Sequence, residues 1–131
     1  MLAAIGAKAH KECVYHLRWS SEWVIRLGDG TEESHARMEK AIDDLWKFTG
    51  ELYKPARYEQ WAAEAGIGPH LLLLQSGWDE KIKEIFGEAG LPYPPAVWMQ
   101  TGGKEGRHTE QLGYILAEMQ FLQRAYPGCE W

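Results

Sequence analysis

The sequence contains only two cysteines, Cys13 and Cys129, and they form no C-x-x-C pair. This spacing argues against a disulfide framework, so both residues are expected to be free thiols. The chain also lacks a basic tract, because 14 Lys and Arg stand against 19 Asp and Glu, giving a net charge of −5. Since basic contacts to phosphate dominate nucleic-acid binding, we expect no nucleic-acid partner.

Long apolar runs are missing as well. No segment approaches the ~20 apolar residues that span a bilayer, and the N-terminus lacks the charged-then-apolar pattern of a secretory signal. We therefore expect a cytoplasmic protein without a membrane partner. The 131 residues, 45% hydrophobic and 25% charged, have the balance of one globular domain. Seven tryptophans in so short a chain indicate large aromatic contacts in a core or an interface.

The hydrophobic periodicity predicts an all-α fold, because no segment alternates with period two. The first helix should cover residues 2–27 and end at Gly28 in the left-handed conformation, and Thr31 should cap the second helix. The prolines and glycines of residues 90–106 predict a long connection. The later helices are predicted over about 32–49, about 56–65, from about 69 through Phe86, and about 107–125.

The second, fourth and last predicted helices each present an apolar row that should face a core. The rows are His35, Met38, Ile42, Leu45 and Trp46 in the second helix; Leu71, Leu74, Trp78, Ile82, Ile85 and Phe86 in the fourth; and Leu112, Ile115, Leu116, Met119 and Leu122 in the last.

Glu12 and His16 lie one turn apart within the apolar stripe of the first helix. Burying an unpaired carboxylate costs several kcal/mol, so the pair should either bind a metal, as in carboxylate bundles, or form a buried hydrogen-bonded pair. The second interpretation is favoured, because the i, i+4 spacing is not Glu-x-x-His and no second motif completes a set. A working site would recruit Glu110 or Glu118. The other stripe members are Leu2, Ile5, Ala9, Trp19, Trp23 and Leu27.

Two literal Glu-x-x-His strings occur, at residues 32–35 and 105–108, but each is explained more simply. Glu32 favours a helix N-terminus, and Glu105 lies in a glycine-rich loop. That loop, residues 101–108, leads into the last helix, so its backbone N–H groups could hold a phosphate. Its order differs from a P-loop, and a solvated connection or a loop that docks on a partner is favoured. The partner- or phosphate-facing candidates are Gly102, Gly103, Lys104 and Arg107.

Several segments together resemble a known family. They are AKAHKECVYHLRWS at residues 7–20, RLGDGT at 26–31, TGGK at 101–104, HTE at 108–110 and LAEMQFLQR at 116–124. These segments closely resemble the C-terminal half of the PaaC subunits of ring-1,2-phenylacetyl-CoA epoxidases. The resemblance extends over essentially the whole chain and is weakest over about 55–98.

The resemblance implies a ferritin-like helical bundle and a structural, non-catalytic subunit of a bacterial oxygenase that epoxidises phenylacetyl-CoA. In such a complex the di-iron centre belongs to the homologous PaaA-like subunit, and a reductase with FAD and an iron–sulfur centre supplies electrons from NADPH. No cofactor is expected in this chain, where Glu12 and His16 would be a degenerate site. Because the apolar stripe starts at Leu2 without a capping residue, residues 1–131 are expected to be one helical domain from the C-terminal part of a longer subunit.

Two other functions remain open from the residues. The chain could be a ferritin-like carboxylate protein with its own metal at Glu12 and His16, or a helical interaction module without an oxygenase role. Self-association through an unpartnered apolar face is a further possibility for the truncated chain.

Overall fold

The chain is all-α in the computed structural model, which describes residues 2–130. Those residues form six α-helices and no strand, which confirms the predicted all-α class, although five helices were predicted. None of the described helices combines the length and the apolarity needed to cross a membrane. The helices are α1 (Leu2–Gly28), α2 (Glu32–Leu45), α3 (Arg57–Glu64), α4 (Gln75–Glu88), α5 (Gln111–Met119) and α6 (Phe121–Ala125), with 3₁₀ turns at Trp46–Tyr53, Leu71–Leu74 and Gly103–Glu105.

The turn from α1 to α2 depends on two local features. Thr31 caps α2 as predicted: its Oγ1 accepts a hydrogen bond from the Ser34 backbone N–H at 3.2 Å, and its own N–H donates to the Ser34 hydroxyl at 2.9 Å. Gly28 lacks the predicted left-handed conformation. It is buried where α1 meets the end of α4, and an added Cβ would lie 2.6 Å from the Ala89 carbonyl oxygen. Close packing therefore explains this glycine.

The core forms where α4 and the residues after it meet α1, α2 and the 3₁₀ turn that follows α2. Trp46, Ile85 and Phe86 are buried, which confirms those predicted core positions, and Leu91 from the following connection joins them. α2 ends at Leu45, earlier than predicted, and the backbone tightens into the 3₁₀ turn that begins at Trp46. The partly buried hydrophobic residues around this core are Val24, Ile25, Met38, Ile42, Trp78, Ile82 and Met99.

The predicted apolar stripe of α1 does not face this core, so that part of the burial prediction is wrong. α1 packs on the core through Val24 and Ile25, which point in a different direction around the helix from Trp19 and Trp23. Trp19 is 54% exposed and Trp23 is 43% exposed. Ile5, Ala9 and Leu27 are exposed too. The side chain of Leu2 lies outside the described part of the molecule.

The last predicted helix is divided in two and its apolar row is also exposed. α5 begins at Gln111, later than predicted, and a non-helical residue, Gln120, separates it from α6. Leu112 is partly buried, but neither helix contributes a buried residue to the described structure. The predicted core positions that are instead exposed are Leu45, Leu74, Ile115, Leu116, Met119 and Leu122.

Candidate functional site

Glu12 and His16 both lie on the exposed side of α1, so the predicted buried pair is wrong. Neither side chain forms an ion pair with a described residue, and the His16 ring lies edge-on to the Tyr15 ring with centroids 6.0 Å apart. Within residues 2–130 no group of three or more His, Cys, Asp or Glu is placed to hold a metal ion. Glu110 and Glu118 therefore do not complete a set with this pair, and the described donors do not fit a di-iron centre. Metal binding by the pair alone stays a prediction.

Within the described residues, the two Glu-x-x-His strings also do not belong to any group of three or more side chains that could hold a metal ion. The Nδ1 atom of His35 lies 2.7 Å from the carbonyl oxygen of Gly28, and its Nε2 atom lies 3.6 Å from a carboxylate oxygen of Glu39. His35 thus ties the start of α2 to the end of α1. Glu105 and His108 are exposed in the connection before α5.

The glycine-rich loop is occupied by a carboxylate of its own chain. Glu51 Oε1 accepts hydrogen bonds from the backbone N–H groups of Gly102 at 2.8 Å and Lys104 at 3.3 Å. An added Cβ at Gly103 would lie 2.8 Å from the other carboxylate oxygen, so glycine permits this approach. Burial opposes ionisation of Glu51, but the backbone N–H groups of Lys104, Gly102 and Gly103 together lower its pKa. Two of the backbone N–H groups that a phosphate at this loop would use, those of Gly102 and Lys104, therefore already donate to Glu51.

The side chain of Lys104 also bonds the glycine-rich loop to the rest of the chain. Its Nζ atom lies 2.9 and 3.0 Å from the two carboxylate oxygens of Glu59 and donates to the Lys54 carbonyl at 3.2 Å. The Ala56 backbone N–H and then Lys104 lower the pKa of Glu59. Arg107 is the candidate that stays exposed. Contact of Gly102, Gly103, Lys104 or Arg107 with a partner or phosphate stays a prediction.

An aromatic cavity of about 260 Å³ lies between the 3₁₀ turn after α2, the start of α4 and the connection after it. Trp46 stacks on Trp78 with ring centroids 5.6 Å apart and meets Tyr93 edge-on at 5.3 Å. Tyr53 lies 5.7 Å from Trp78. These four rings and Asp79 all line the cavity, which we call the aromatic cavity.

Asp79 sets the electrostatics of the aromatic cavity. The Tyr93 hydroxyl donates a hydrogen bond to Asp79 Oδ1 at 3.2 Å. Burial, and then the charge of Asp79, raise the pKa of both Tyr53 and Tyr93. Sequence patterns did not reveal this site, because its members are far apart along the chain and form no motif. The high tryptophan content was the available signal, and it does not show which rings meet.

Comparison with known proteins agrees with the resemblance noted in the sequence. A family model described as "Phenylacetic acid catabolic protein" matches residues 1–131. The chain is 46% identical over 130 residues to the C subunit of 1,2-phenylacetyl-CoA epoxidase from Escherichia coli (strain K12). That match covers 99% of this chain and 52% of the relative, so the chain spans about half the length of the curated relative it matches. The chain therefore belongs to the phenylacetic acid catabolic protein family.

Proposed function

We propose that this chain serves as a structural, non-catalytic part of a cytoplasmic multicomponent oxygenase that epoxidises phenylacetyl-CoA during aerobic phenylacetate degradation. Its similarity to the C subunit of such an epoxidase supports the pathway. The resemblance of the sequence to PaaC subunits, the non-catalytic members of such complexes, supports a non-catalytic role. The di-iron centre would reside in a homologous catalytic subunit with a ferritin-like fold, and NADPH, FAD and an iron–sulfur centre would serve its reductase.

The observation that carries the proposed role is the amount of apolar surface left exposed on helices. Soluble proteins rarely expose contiguous apolar patches of more than a few hundred Å², and larger ones mark interaction sites. α1 exposes a row at helical spacing, and α5 with α6 exposes a second one, including Met119 at 72%. The α1 face consists of Ile5, Trp19, Trp23 and Leu27, and the C-terminal face of Tyr114, Ile115, Met119, Phe121 and Leu122.

Such faces suit the packing of helices from a neighbouring subunit. Tryptophan is enriched at the energetic centres of interfaces, because it combines a large buried area with few rotatable bonds. Trp19 and Trp23 contact each other edge-on, with ring centroids 6.3 Å apart, and together form one continuous aromatic surface on the α1 face. We therefore expect the catalytic subunit to cover this pair.

A pull-down with the catalytic di-iron homologue of the same organism tests the proposal. Trp19→Asp should weaken complex formation by about tenfold or more, as expected for an interface tryptophan. Trp61→Asp is the matched control, because Trp61 is similarly exposed, at 64%, but lies on α3 outside both faces. The control should bind normally, and both variants should keep the melting temperature of the parent chain.

Equal binding by the two variants would contradict the assignment of the α1 face, and no binding by the parent chain would contradict the structural role.

Elemental analysis of protein purified without chelator addresses the rival metal site. Stoichiometric iron or manganese that is lost in Glu12→Ala would favour a metal protein instead. Sedimentation of the purified chain distinguishes a partner from a second copy, because self-association through the α1 face would be abolished by Trp19→Asp.

A further inference from the structure

We propose that the aromatic cavity binds an organic cation, a guanidinium or alkylammonium group, between the rings of Tyr53, Trp78 and Tyr93 and the carboxylate of Asp79. This inference goes beyond the proposed function and uses neither the α1 face nor the C-terminal face. It rests on the composition of the cavity wall, on its charge and on its size.

The walls of the cavity suit a cation because aromatic rings attract positive charge within about 6 Å of their centroids. Trp46 is buried in the core and contacts both Trp78 and Tyr93. This packing holds the Trp78 and Tyr93 rings in place. The Tyr93 ring already contacts one cation, since the Lys83 Nζ atom lies 5.2 Å from its centroid. Lys83 does not line the cavity, so it leaves the interior without a positive charge.

The charge of the cavity is unbalanced. Asp79 is the one charged side chain among the described residues that line it. Its carboxylate has a hydrogen bond from Tyr93 but no ion pair with any described residue. An ionised carboxylate beside aromatic walls keeps unused acceptor capacity, which a guanidinium or ammonium donor would satisfy.

The same features disfavour other ligand classes. A neutral ligand without N–H or O–H groups would displace water from Asp79 without replacing its hydrogen bonds, and an anion would be repelled by it. A volume of about 260 Å³ suffices for one small cationic group. Thr49 and Gln75 also line the cavity. The Thr49 hydroxyl and the Gln75 amide oxygen can accept hydrogen bonds from further N–H groups of the cation. The cation is either an arginine side chain from a second protein or a free alkylammonium compound.

Titration calorimetry of the 131-residue chain with three probes tests the inference. Nα-acetyl-arginine methylamide represents the side chain, n-propylammonium represents the free cation, and acetate is the anion control. At least one cation should bind saturably with a stoichiometry of one, and acetate should not. Tighter binding of the arginine derivative would favour a protein side chain as the source, and tighter binding of n-propylammonium would favour a free ligand. Failure of both cations to bind would overturn the proposal.

A pair of variants locates the binding. Asp79→Asn removes the charge with little change in shape and should weaken cation binding by about tenfold, the effect of losing one charge-assisted contact. Glu80→Gln makes the same change in charge at the next residue, which is exposed and does not line the cavity, and it should bind as the parent does. Unaltered binding in Asp79→Asn, or equal weakening in both variants, would refute the site.

A measurement on the unmodified chain covers the case in which Asp79→Asn fails to fold. Addition of the tighter cation should shift the ring-proton resonances of Tyr53 and Trp78, because ring and cation would be in contact. The Trp61 resonances should not move, since Trp61 lies on α3 away from the cavity lining. Shifts confined to residues outside the cavity would show that the cation binds elsewhere.

Discussion

The ammonium group of Lys104 lies 2.9 Å from a carboxylate oxygen of Glu59, and this ion pair joins the glycine-rich loop to α3. Both side chains are mostly buried, at 23% and 25% exposure, so solvent screens the pair less than a surface pair. Together with the hydrogen bonds to Glu51, the pair makes the loop part of the fold of this chain. Variants of the loop residues separate that structural role from contact with a partner.

Lys104→Glu should destabilise the isolated chain, because it replaces the donor to Glu59 with a second carboxylate. We expect the free energy of unfolding to fall by about 1–3 kcal/mol, the cost of losing a charge-assisted hydrogen bond and leaving its acceptor unpaired. Arg107→Glu makes the same change in charge at an exposed position and should stay within about 0.5 kcal/mol of the parent. Urea denaturation monitored by circular dichroism measures both. Equal losses would mean that net charge, and not the Glu59 contact, matters.

Acidification should loosen the loop. The folded-state pKa values of Glu51 and Glu59 lie below their ordinary value of 4.5, so near and below that pH the unfolded chain binds more protons than the folded chain. The stability that these groups contribute is therefore present above pH 4.5 and is lost as the pH falls through their folded pKa values. Melting temperatures measured from neutral pH down to about pH 3 should show this decline, and Glu59→Gln should flatten it.

The control for the acid effect is Glu88→Gln, because Glu88 is exposed on α4 and lies outside the loop. Its melting curve should keep the parent's dependence on pH. A Glu59→Gln variant with the full acid decline would contradict the assignment to this carboxylate.

Gly28→Ala should be destabilising, since its Cβ would lie 2.6 Å from the Ala89 carbonyl oxygen and 2.8 Å from the Ala89 Cβ. Overpacking of this kind costs about 1–3 kcal/mol. Gly87→Ala is the matched change within α4, where an added Cβ meets no atom within 4 Å. It should stabilise the chain by about 0.5–1 kcal/mol through helix propensity. Thermal melts of the two variants should therefore move in opposite directions, and a shared direction would argue against the close packing of α1 on α4.

Glu12 variants test the exposure of the α1 face. A buried Glu12–His16 pair would make Glu12→Ala more costly than Glu12→Gln, because alanine would leave buried donors unpaired. Since both residues are exposed, we expect each variant to remain within about 0.5 kcal/mol of the parent in urea denaturation. A loss of more than about 1 kcal/mol in Glu12→Ala alone would show that the pair is buried in solution, for instance by self-association.

The start of α2 and the span of α1 could be predicted because both depend on interactions between residues close together in the sequence. Thr31 caps α2 through a hydrogen bond to a residue three positions away. α1 follows its predicted span, which was derived from apolar residues that recur at helical spacing. The burial of Trp46, Ile85 and Phe86 was predicted because each belongs to an apolar row of the predicted helices, although Leu45 and Leu74 of the same rows are exposed.

Periodicity could not predict which apolar face of α1 finds a partner. That helix has two apolar sides, and the longer row, with Trp19 and Trp23, is exposed, whereas Val24 and Ile25 pack on the core. A hydrophobic pattern shows that a face is suited to burial, but the burial itself requires a second surface within reach. The family likeness, in contrast, was carried by the sequence alone and was confirmed by comparison.

The sequence by itself determined the all-α class, the start of α2 at its Thr31 cap and the family, because these follow from contacts within a few residues or from residue identity along the chain. The tertiary structure decided the contents of the glycine-rich loop and the composition of the aromatic cavity. Glu51 meets Gly102, and Tyr93 meets Asp79, only because the connection after α4 folds back across the 3₁₀ turn that follows α2. Contacts between residues so far apart depend on the path of the whole chain, which no local pattern encodes.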